Sequence, residues 1–387
     1  MVDMKLSDSE LLERLVAFDT TSRNSNLPLA DFLCEYLERP GIKISRNPSP
    51  DGEKANLVVW VGPETDPVER GGLVLSGHMD VVPAEEPEWQ GDPFRLRDGG
   101  DRWIGRGACD MKGFVALAVN RALAVADGHL RQPLVLVLTY DEEVGTLGAR
   151  HFAHSWERDR PLPRHAVIGE PTSLEVVRLH KGHLKTRIVF QGQGAHSGYP
   201  HLGHNAIEPA ARVVVALSEL RRQLEAERPP QHEHFPEVPF VALNIARIAG
   251  GTAVNIVPES CILEMGVRVL PGMDSSEVQD RIRSALEEAA AGERFTFEVL
   301  SDSPPLWLSE EAPICRYLMR QVGQTGTVSA SYATDAGWLR DLDMDCAVFG
   351  PGSIGVAHKP EEYMPKDEYL RGGQLLDRAI EDFCISP

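Results

Sequence analysis

The sequence predicts an α/β protein with a largely parallel sheet, interrupted by a smaller α+β unit. Short apolar runs alternate with helix-spaced segments in the first half of the chain. The middle follows a different order, β-α-β-β-α-β. Candidate polar groups follow the ends of four of the apolar runs, where ligands bind in open α/β sheets.

Residues 7–20 and 27–40 carry helix-spaced apolar positions: Leu11, Leu12, Leu15 and Val16, then Phe32, Leu33, Tyr36 and Leu37. Pro40-Gly41 closes the second. Residues 56–61, 73–76, 133–140, 165–168 and 346–349 read as strands, and 114–126, rich in Ala and Leu, reads as a helix. In the middle, 185–191 alternates like a half-exposed strand and 205–222 is an amphipathic helix. Residues 240–248 and 261–270 are strands, 275–290 a second helix and 294–300 a final strand. This split, ferredoxin-like order makes 184–301 an insert in a discontinuous domain of residues 1–183 and 302–387. Residues 229–239, with four prolines and two histidines, form a surface loop of the insert.

The 387 residues suffice for two domains, and 42% hydrophobic and 25% charged content is that of a soluble globular protein. No apolar run approaches the ~18 residues of a membrane span. The N-terminal stretch lacks a basic region followed by an apolar one, so no signal peptide is expected. Cys34, Cys109, Cys261, Cys315, Cys346 and Cys384 are scattered without a C-x-x-C, which fits a reducing cytoplasm rather than a disulfide framework. A net charge of −19 disfavours nucleic acid, which needs a basic surface; it reads first as a soluble acidic surface and second as steering for a cationic substrate.

His78 and Asp80 follow the run at 73–76. Side chains two apart on a strand share a face. A neutral imidazole is a good zinc ligand, and a nearby carboxylate can hold its other nitrogen. Asp141-Glu142-Glu143 follows 134–140, Glu170 follows 166–169, and His358 lies in a glycine-rich loop beyond Phe349. Asp110 adds a fifth position just before the helix at Phe114. Two His and three carboxylates suit a pair of Zn²⁺ ions, each with one His, one terminal carboxylate and a shared Asp. Such a pair, about 3.5–4 Å apart, activates a water and stabilises a tetrahedral oxyanion. A further carboxylate must move the proton, and adjacent Glu142 and Glu143 can divide those tasks as base and ligand. Each residue alone also has a plainer reading: Asp110 as a helix N-cap, 141–143 as a solvated acidic turn, Glu170 and His358 as loop surface.

At these residues the chain resembles the M20 metallopeptidase family. SGHMDVVP, WQGDPF, GRGACDMKG, DEEVGTLGAR, IGEPT and GPGSIGVAHKPEEY occur in family order across nearly the whole chain. The resemblance implies a zinc-peptidase-like catalytic domain with a mixed, largely parallel sheet, and a homodimeric, cytoplasmic enzyme with two Zn²⁺ for which Co²⁺ can substitute. It implies that His78 binds one zinc with Glu170, that Asp80 orients His78 from behind, and that Asp110 bridges. Glu142 is then the general acid/base, with Glu143 and His358 on the second zinc. The insert resembles the family's lid and dimerisation domain, whose motif at 192–198 carries His196 to the partner subunit's active site as an oxyanion donor. Asn255 and Arg268 match substrate-binding positions, and a guanidinium suits a carboxylate. Residues 329–337 and 350–363 look most like the acetylornithine deacetylase branch.

The expected reaction is hydrolysis of N2-acetyl-L-ornithine to L-ornithine and acetate, in arginine biosynthesis, with neither nucleic acid nor membrane as a partner. Alternatives are a succinyl-diaminopimelate desuccinylase, an N-acetylcitrulline deacetylase, a dipeptidase or carboxypeptidase of the family, or a noncatalytic ligand-binding relative. His183, His201 and His204 have two readings, as residues lining the site or as ordinary loop residues, and the second is preferred.

Overall fold

A computed structural model describes residues 5–386, which form two compact units. Residues 1–4, part of the N-terminal stretch judged not to be a leader, and Pro387 lie outside the described residues. The first unit comprises the chain up to Arg178, Leu308–Val328 and the chain from Thr334 onward; the second comprises Leu179–Trp307 and Ser329–Ala333.

The first unit begins with helices α1 (Asp8–Val16) and α2 (Leu27–Leu37) and strands β1 (Ile42–Pro48), β2 (Ala55–Val61) and β3 (Leu73–His78). It continues with α3 (Lys112–Val125), β4 (Leu134–Thr139), α4 (Leu147–Ser155) and β5 (His165–Ile168). The second unit holds β6 (His183–Gln191), α5 (Ile207–Ala226), β7 (Ala242–Gly250), β8 (Ser260–Arg268), α6 (Ser275–Ala289) and β9 (Arg294–Ser303). The chain then completes the first unit with α7 (Pro313–Val322), α8 (Ala336–Leu339), β10 (Asp345–Val348) and α9 (Lys366–Ile380).

The main strands of the first unit lie in the order β1-β2-β4-β3-β5-β10. β1–β2 and β2–β4 are antiparallel, whereas β4–β3, β3–β5 and β5–β10 are parallel. Every residue of β2, β3 and β4 is buried, as expected of central strands covered on both faces, so their sequences are continuous apolar runs. α3 is buried along most of its length (Phe114, Val115, Leu117, Val119, Leu123), which explains a helix without a polar face. α1 opens with a capping box between Ser7 and Glu10. It stops at Val16, short of the expected residue 20, because the following residues pair with the loop after β3. Val81 N–H donates to Thr20 O and Ser22 N–H to Val81 O, both at 3.1 Å. Among the described residues no helix is long and apolar enough to cross a membrane.

The second unit is a four-stranded antiparallel sheet, β7-β8-β6-β9, in the β-α-β-β-α-β chain order. β6 and β8 alternate buried and half-exposed residues. Leu184, Ile188, Leu263 and Val267 share a core with Leu217 of α5 and Ile282 of α6. Lys181 is wholly buried. Its ammonium donates to the carbonyls of Val238 and Phe240, the latter at 2.8 Å, and lies over the rings of Phe235 and Phe240, tying down the proline-rich loop. His183 is a strand residue rather than a loop residue, half-buried at the start of β6. Burial, with Arg268 and Lys185 nearby, pushes its imidazole down to about 3. His201 and His204 are exposed.

Two outcomes follow from this packing. A Cβ on Gly169 would lie 1.9 Å from Phe114 Cγ. We expect Gly169→Ala to lower stability by about 1–3 kcal/mol, read as a shifted urea midpoint at unchanged slope. His183 is held neutral in the fold but protonates freely when unfolded. Its contribution is therefore complete above pH 6.5 and is lost as the pH falls toward about 3. We expect His183→Gln to flatten that acid limb of the urea midpoint against pH; an unchanged limb would contradict the assignment.

Candidate metal centre

The parallel strands β3, β4, β5 and β10 end at one edge of the sheet, and ionisable side chains gather there. His78 is the last residue of β3, beside Thr139 at the end of β4. Its Nε2 lies 3.0 Å from Asp110 Oδ1. His358 Nε2 lies 3.2 Å from Asp110 Oδ2 and 3.0 Å from Glu143 Oε2. Two groups of ligating atoms result, His78–Asp110–Glu170 and Asp110–Glu143–His358, the atoms of each within 4.8 Å of one another. Asp110 belongs to both and presents one oxygen to each imidazole.

The plainer readings of Asp110, residues 141–143 and Glu170 fail on the geometry, whereas His358 is indeed an exposed loop residue. The N-cap of α3 is Met111, with no side-chain cap, so Asp110 does not cap the helix. The acidic turn is not solvated, since Asp141 is buried and the Glu143 side chain is 6% exposed. Glu170 is buried, and the outer His358 side chain is 47% exposed.

Asp80 differs from expectation. Its carboxylate was to hold the His78 imidazole, but the backbone does so. His78 Nδ1 donates to the Asp80 carbonyl at 2.9 Å, while the nearest carboxylate oxygen is 3.6 Å away. A carbonyl can only accept, so Nδ1 carries a proton and Nε2 is the nitrogen turned to Asp110, the one a metal would take. The Asp80 carboxylate turns instead to the segment after β4. Its Oδ1 accepts the Glu142 N–H at 3.0 Å, and its Oδ2 accepts the Glu143 N–H at 3.3 Å and the Ser22 hydroxyl at 2.7 Å. The physical reason is the turn itself. Asp141 has a left-handed φ of 53°, and the two following N–H groups both point to one anionic acceptor. Lys54 braces the turn by pairing with Asp141 and donating to the Ser22 carbonyl.

A residue without a role in the sequence reading also joins the cluster. Asp335, buried beside α8, accepts the Thr139 hydroxyl at 2.5 Å through Oδ2. Asp335 Oδ1 and Glu170 Oε1 have no hydrogen-bond partner among the described residues. Asp80, Asp110, Glu142, Glu143, Glu170 and Asp335 thus face two imidazoles. The crowding shows in their proton affinities. Burial, then Glu170, holds Glu142 well above the usual carboxylate range. Burial, then Asp110, does the same to Glu170 and pushes Glu143 up to about 7. Burial pushes Asp335 up to about 6. Asp110 stays below its usual range because His358 and His78 outweigh its burial. Asp110 and Glu143 raise His358 to about 10. An orphaned buried carboxylate oxygen, two imidazoles that each face a carboxylate and a shared Asp are a donor set that fits a pair of divalent cations.

His196 and Asn255 belong to the second unit, on adjacent exposed segments. Ser197 N–H donates to Asn255 O at 2.9 Å, and His196 pairs with Ile256. Gly198 N–H donates to His196 Nδ1 at 3.0 Å, so the exposed Nε2 carries the proton. Arg268 ends β8, about 25 Å along the strand from the end that follows Asn255, so this unit does not bring the three together. Arg106, Glu362, Ser22 and Asp335 were given no part in the sequence reading, although Arg106, Glu362 and Asp335 lie in motifs named there; only their contacts single them out.

The sequence profile of peptidase family M20/M25/M40 matches residues 74–382. An acetylornithine deacetylase of Myxococcus xanthus is 35% identical over 379 residues, 96% of this chain and 96% of that protein. An M20 family metallo-carboxypeptidase of Sulfolobus solfataricus superposes with a TM-score of 0.75 at 17% identity, covering 96% of this chain and 97% of that one. A dinuclear metal-binding M20 peptidase of Bacillus subtilis gives a TM-score of 0.63 at 15% identity, covering 95% and 96%.

Asp110 is the decisive test of a paired site. We expect the wild-type chain to retain a pair of Zn²⁺ or Co²⁺ ions after dialysis. Asp110→Ala should keep at most one, with affinity reduced about tenfold or more, measured by atomic emission and chelator competition.

Proposed function

The chain belongs to peptidase family M20/M25/M40, and on that premise we propose that it is a di-metal amidohydrolase. Its proposed reaction removes the acetyl group of N2-acetyl-L-ornithine, giving L-ornithine and acetate, which places it in arginine biosynthesis. The observation that carries the reading is Asp110, shared between two ligand groups that each have their own imidazole and glutamate. His78 and Glu170 would hold one ion, His358 and Glu143 the other, and Asp110 both. Zn²⁺ bound there, or Co²⁺ in its place, supplies Lewis acidity and makes water acidic enough to react near neutral pH.

The remaining work falls to the chain. Glu142 takes the proton of the attacking water and returns it to the leaving nitrogen. Burial, which disfavours the charged carboxylate, favours the protonated half of that cycle. Asp80 and Ser22 hold the backbone of Glu142 in place. We assign the second unit as a lid and homodimerisation domain of a cytoplasmic enzyme. His196 Nε2–H is the donor it offers to a substrate oxyanion in the partner subunit's site, with Asn255 on the adjacent segment, while Arg268, at the far end of β8, is a substrate contact in a different subunit's site. The acetylornithine substrate is supported by the 35% identical relative of that name and by a net charge of −19, which attracts the cationic side chain of ornithine.

The test is a substrate panel: N2-acetyl-L-ornithine, N-acetyl-L-citrulline, N-succinyl-diaminopimelate and dipeptides. We expect kcat/KM to be highest for acetylornithine. Glu142→Ala should lower kcat about 10²–10⁴-fold with metal content unchanged. A different preferred substrate overturns the assignment, full activity in Glu142→Ala overturns the mechanism, and tight binding without turnover marks a binding protein.

A further inference from the structure

Unlike His78, Asp110 does not sit on a strand, and its helix does not hold it through a cap. What holds it is a buried ion pair. Arg106 Nη1 and Glu362 Oε2 are 2.7 Å apart, and both side chains are 1% exposed. The other oxygen of Glu362 accepts the backbone N–H of Cys109 at 2.9 Å and of Asp110 at 3.0 Å. Arg106 donates to Pro83 O at 3.1 Å, in the loop that leaves Asp80, and to Lys359 O at 3.4 Å, next to His358. Gly105 N–H donates to Glu362 O at 2.9 Å, closing the connection from the other side. One pair therefore joins three stretches of chain that carry His78, Asp110 and His358.

A buried ion pair is a poor device for stability alone, because well-packed apolar residues of similar volume often do as well or better. Its merit is directional: a carboxylate aimed at two successive N–H groups fixes a turn in a way packing cannot. We propose that Glu362 is a positioning residue of the metal centre. Glu362 fixes the backbone of Asp110, and hence the direction of the shared carboxylate, while Arg106 balances the buried charge of Glu362 and is dispensable once that charge is removed. The proposal rests on the reading of Asp110 as the shared ligand.

Two variants separate reach from charge. Glu362→Asp keeps the charge opposite Arg106 but withdraws the oxygen from the Cys109 and Asp110 N–H groups. Arg106→Gln/Glu362→Gln loses both charges but keeps an acceptor at full reach. Chelator-treated wild type and variants are titrated with Zn²⁺ against a competing chelator, and metal-free melting is followed by circular dichroism. We expect the second equivalent of Zn²⁺ to bind about tenfold or more weakly in Glu362→Asp. It should bind within about threefold of wild type in the Gln pair, whatever its melting temperature. Wild-type affinity in Glu362→Asp overturns the proposal. So does a loss of affinity in both variants that merely tracks their loss of melting temperature. If Glu362→Asp does not fold, a tenfold loss in the folded Gln pair overturns it and near wild-type affinity upholds it. A wild-type chain that takes up fewer than two Zn²⁺ overturns the shared-ligand reading first, and this proposal with it.

Discussion

Negative charge gathered at the ends of parallel strands is the constraint on which the rest of this structure depends. Six carboxyl groups, those of Asp80, Asp110, Glu142, Glu143, Glu170 and Asp335, approach two imidazoles in a largely buried space. Burying charge without partners is costly, so the surrounding chain supplies them. Asp80 is met by two backbone N–H groups and Ser22, Asp335 by Thr139, and Asp141 by Lys54. Asp110 is met by both imidazoles. Glu143 is met by His358, and what these partners leave unanswered, chiefly Glu142 and Glu170, is the excess that divalent cations or protons must balance. The parallel sheet makes such a gathering feasible. Its strand ends lie side by side although the residues they carry are far apart in sequence.

The two ligand groups are not built alike. His78 ends a strand buried throughout, Glu170 follows one buried but for its first residue, and both are themselves buried. His358 lies in a loop, half-exposed, with a left-handed φ of 61°, a conformation unfavourable for a β-carbon residue. Its loop is held at Lys359 and Glu362, both through Arg106. The inner group thus draws its order from the sheet, and the outer group from side-chain contacts between loops.

How much of this was legible in the sequence depended on where the information lies. β2, β3 and β4 are readable because burial on both faces leaves an unbroken apolar run. β1 escaped because none of its residues is fully buried and Lys43, Arg46 and Asn47 interrupt its apolar positions, and α4 because it starts from Thr146 in a left-handed conformation without a side-chain cap. α9 has Gly372-Gly373 at its middle, a poor helix signal, yet Gly372 packs on Pro351 and Gly373 on Arg121 where larger side chains would collide. The candidate ligands stood out because each follows an apolar run or opens a helix. Ser22, Asp335, Arg106 and Glu362 did not, because their partners lie 58, 196, 256 and 252 residues away. No local pattern encodes such pairings.

Asp80 shows why spacing alone misassigned a task that lies close by. Two residues after His78, its side chain was expected behind the imidazole. The backbone reaches that position first, so one residue performs two tasks with different atoms. The carbonyl fixes the tautomer of His78. The carboxylate fixes the turn that carries Glu142 and Glu143. Any side chain at this position retains the first task, but an acid is needed for the second, because two N–H groups and a hydroxyl converge there from separate segments. The ligand on β3 and the acid/base group after β4 are therefore coupled through a single residue. A shift of the β3 end relative to β4 would move the imidazole and the glutamate together, which keeps their mutual geometry more constant than either position alone.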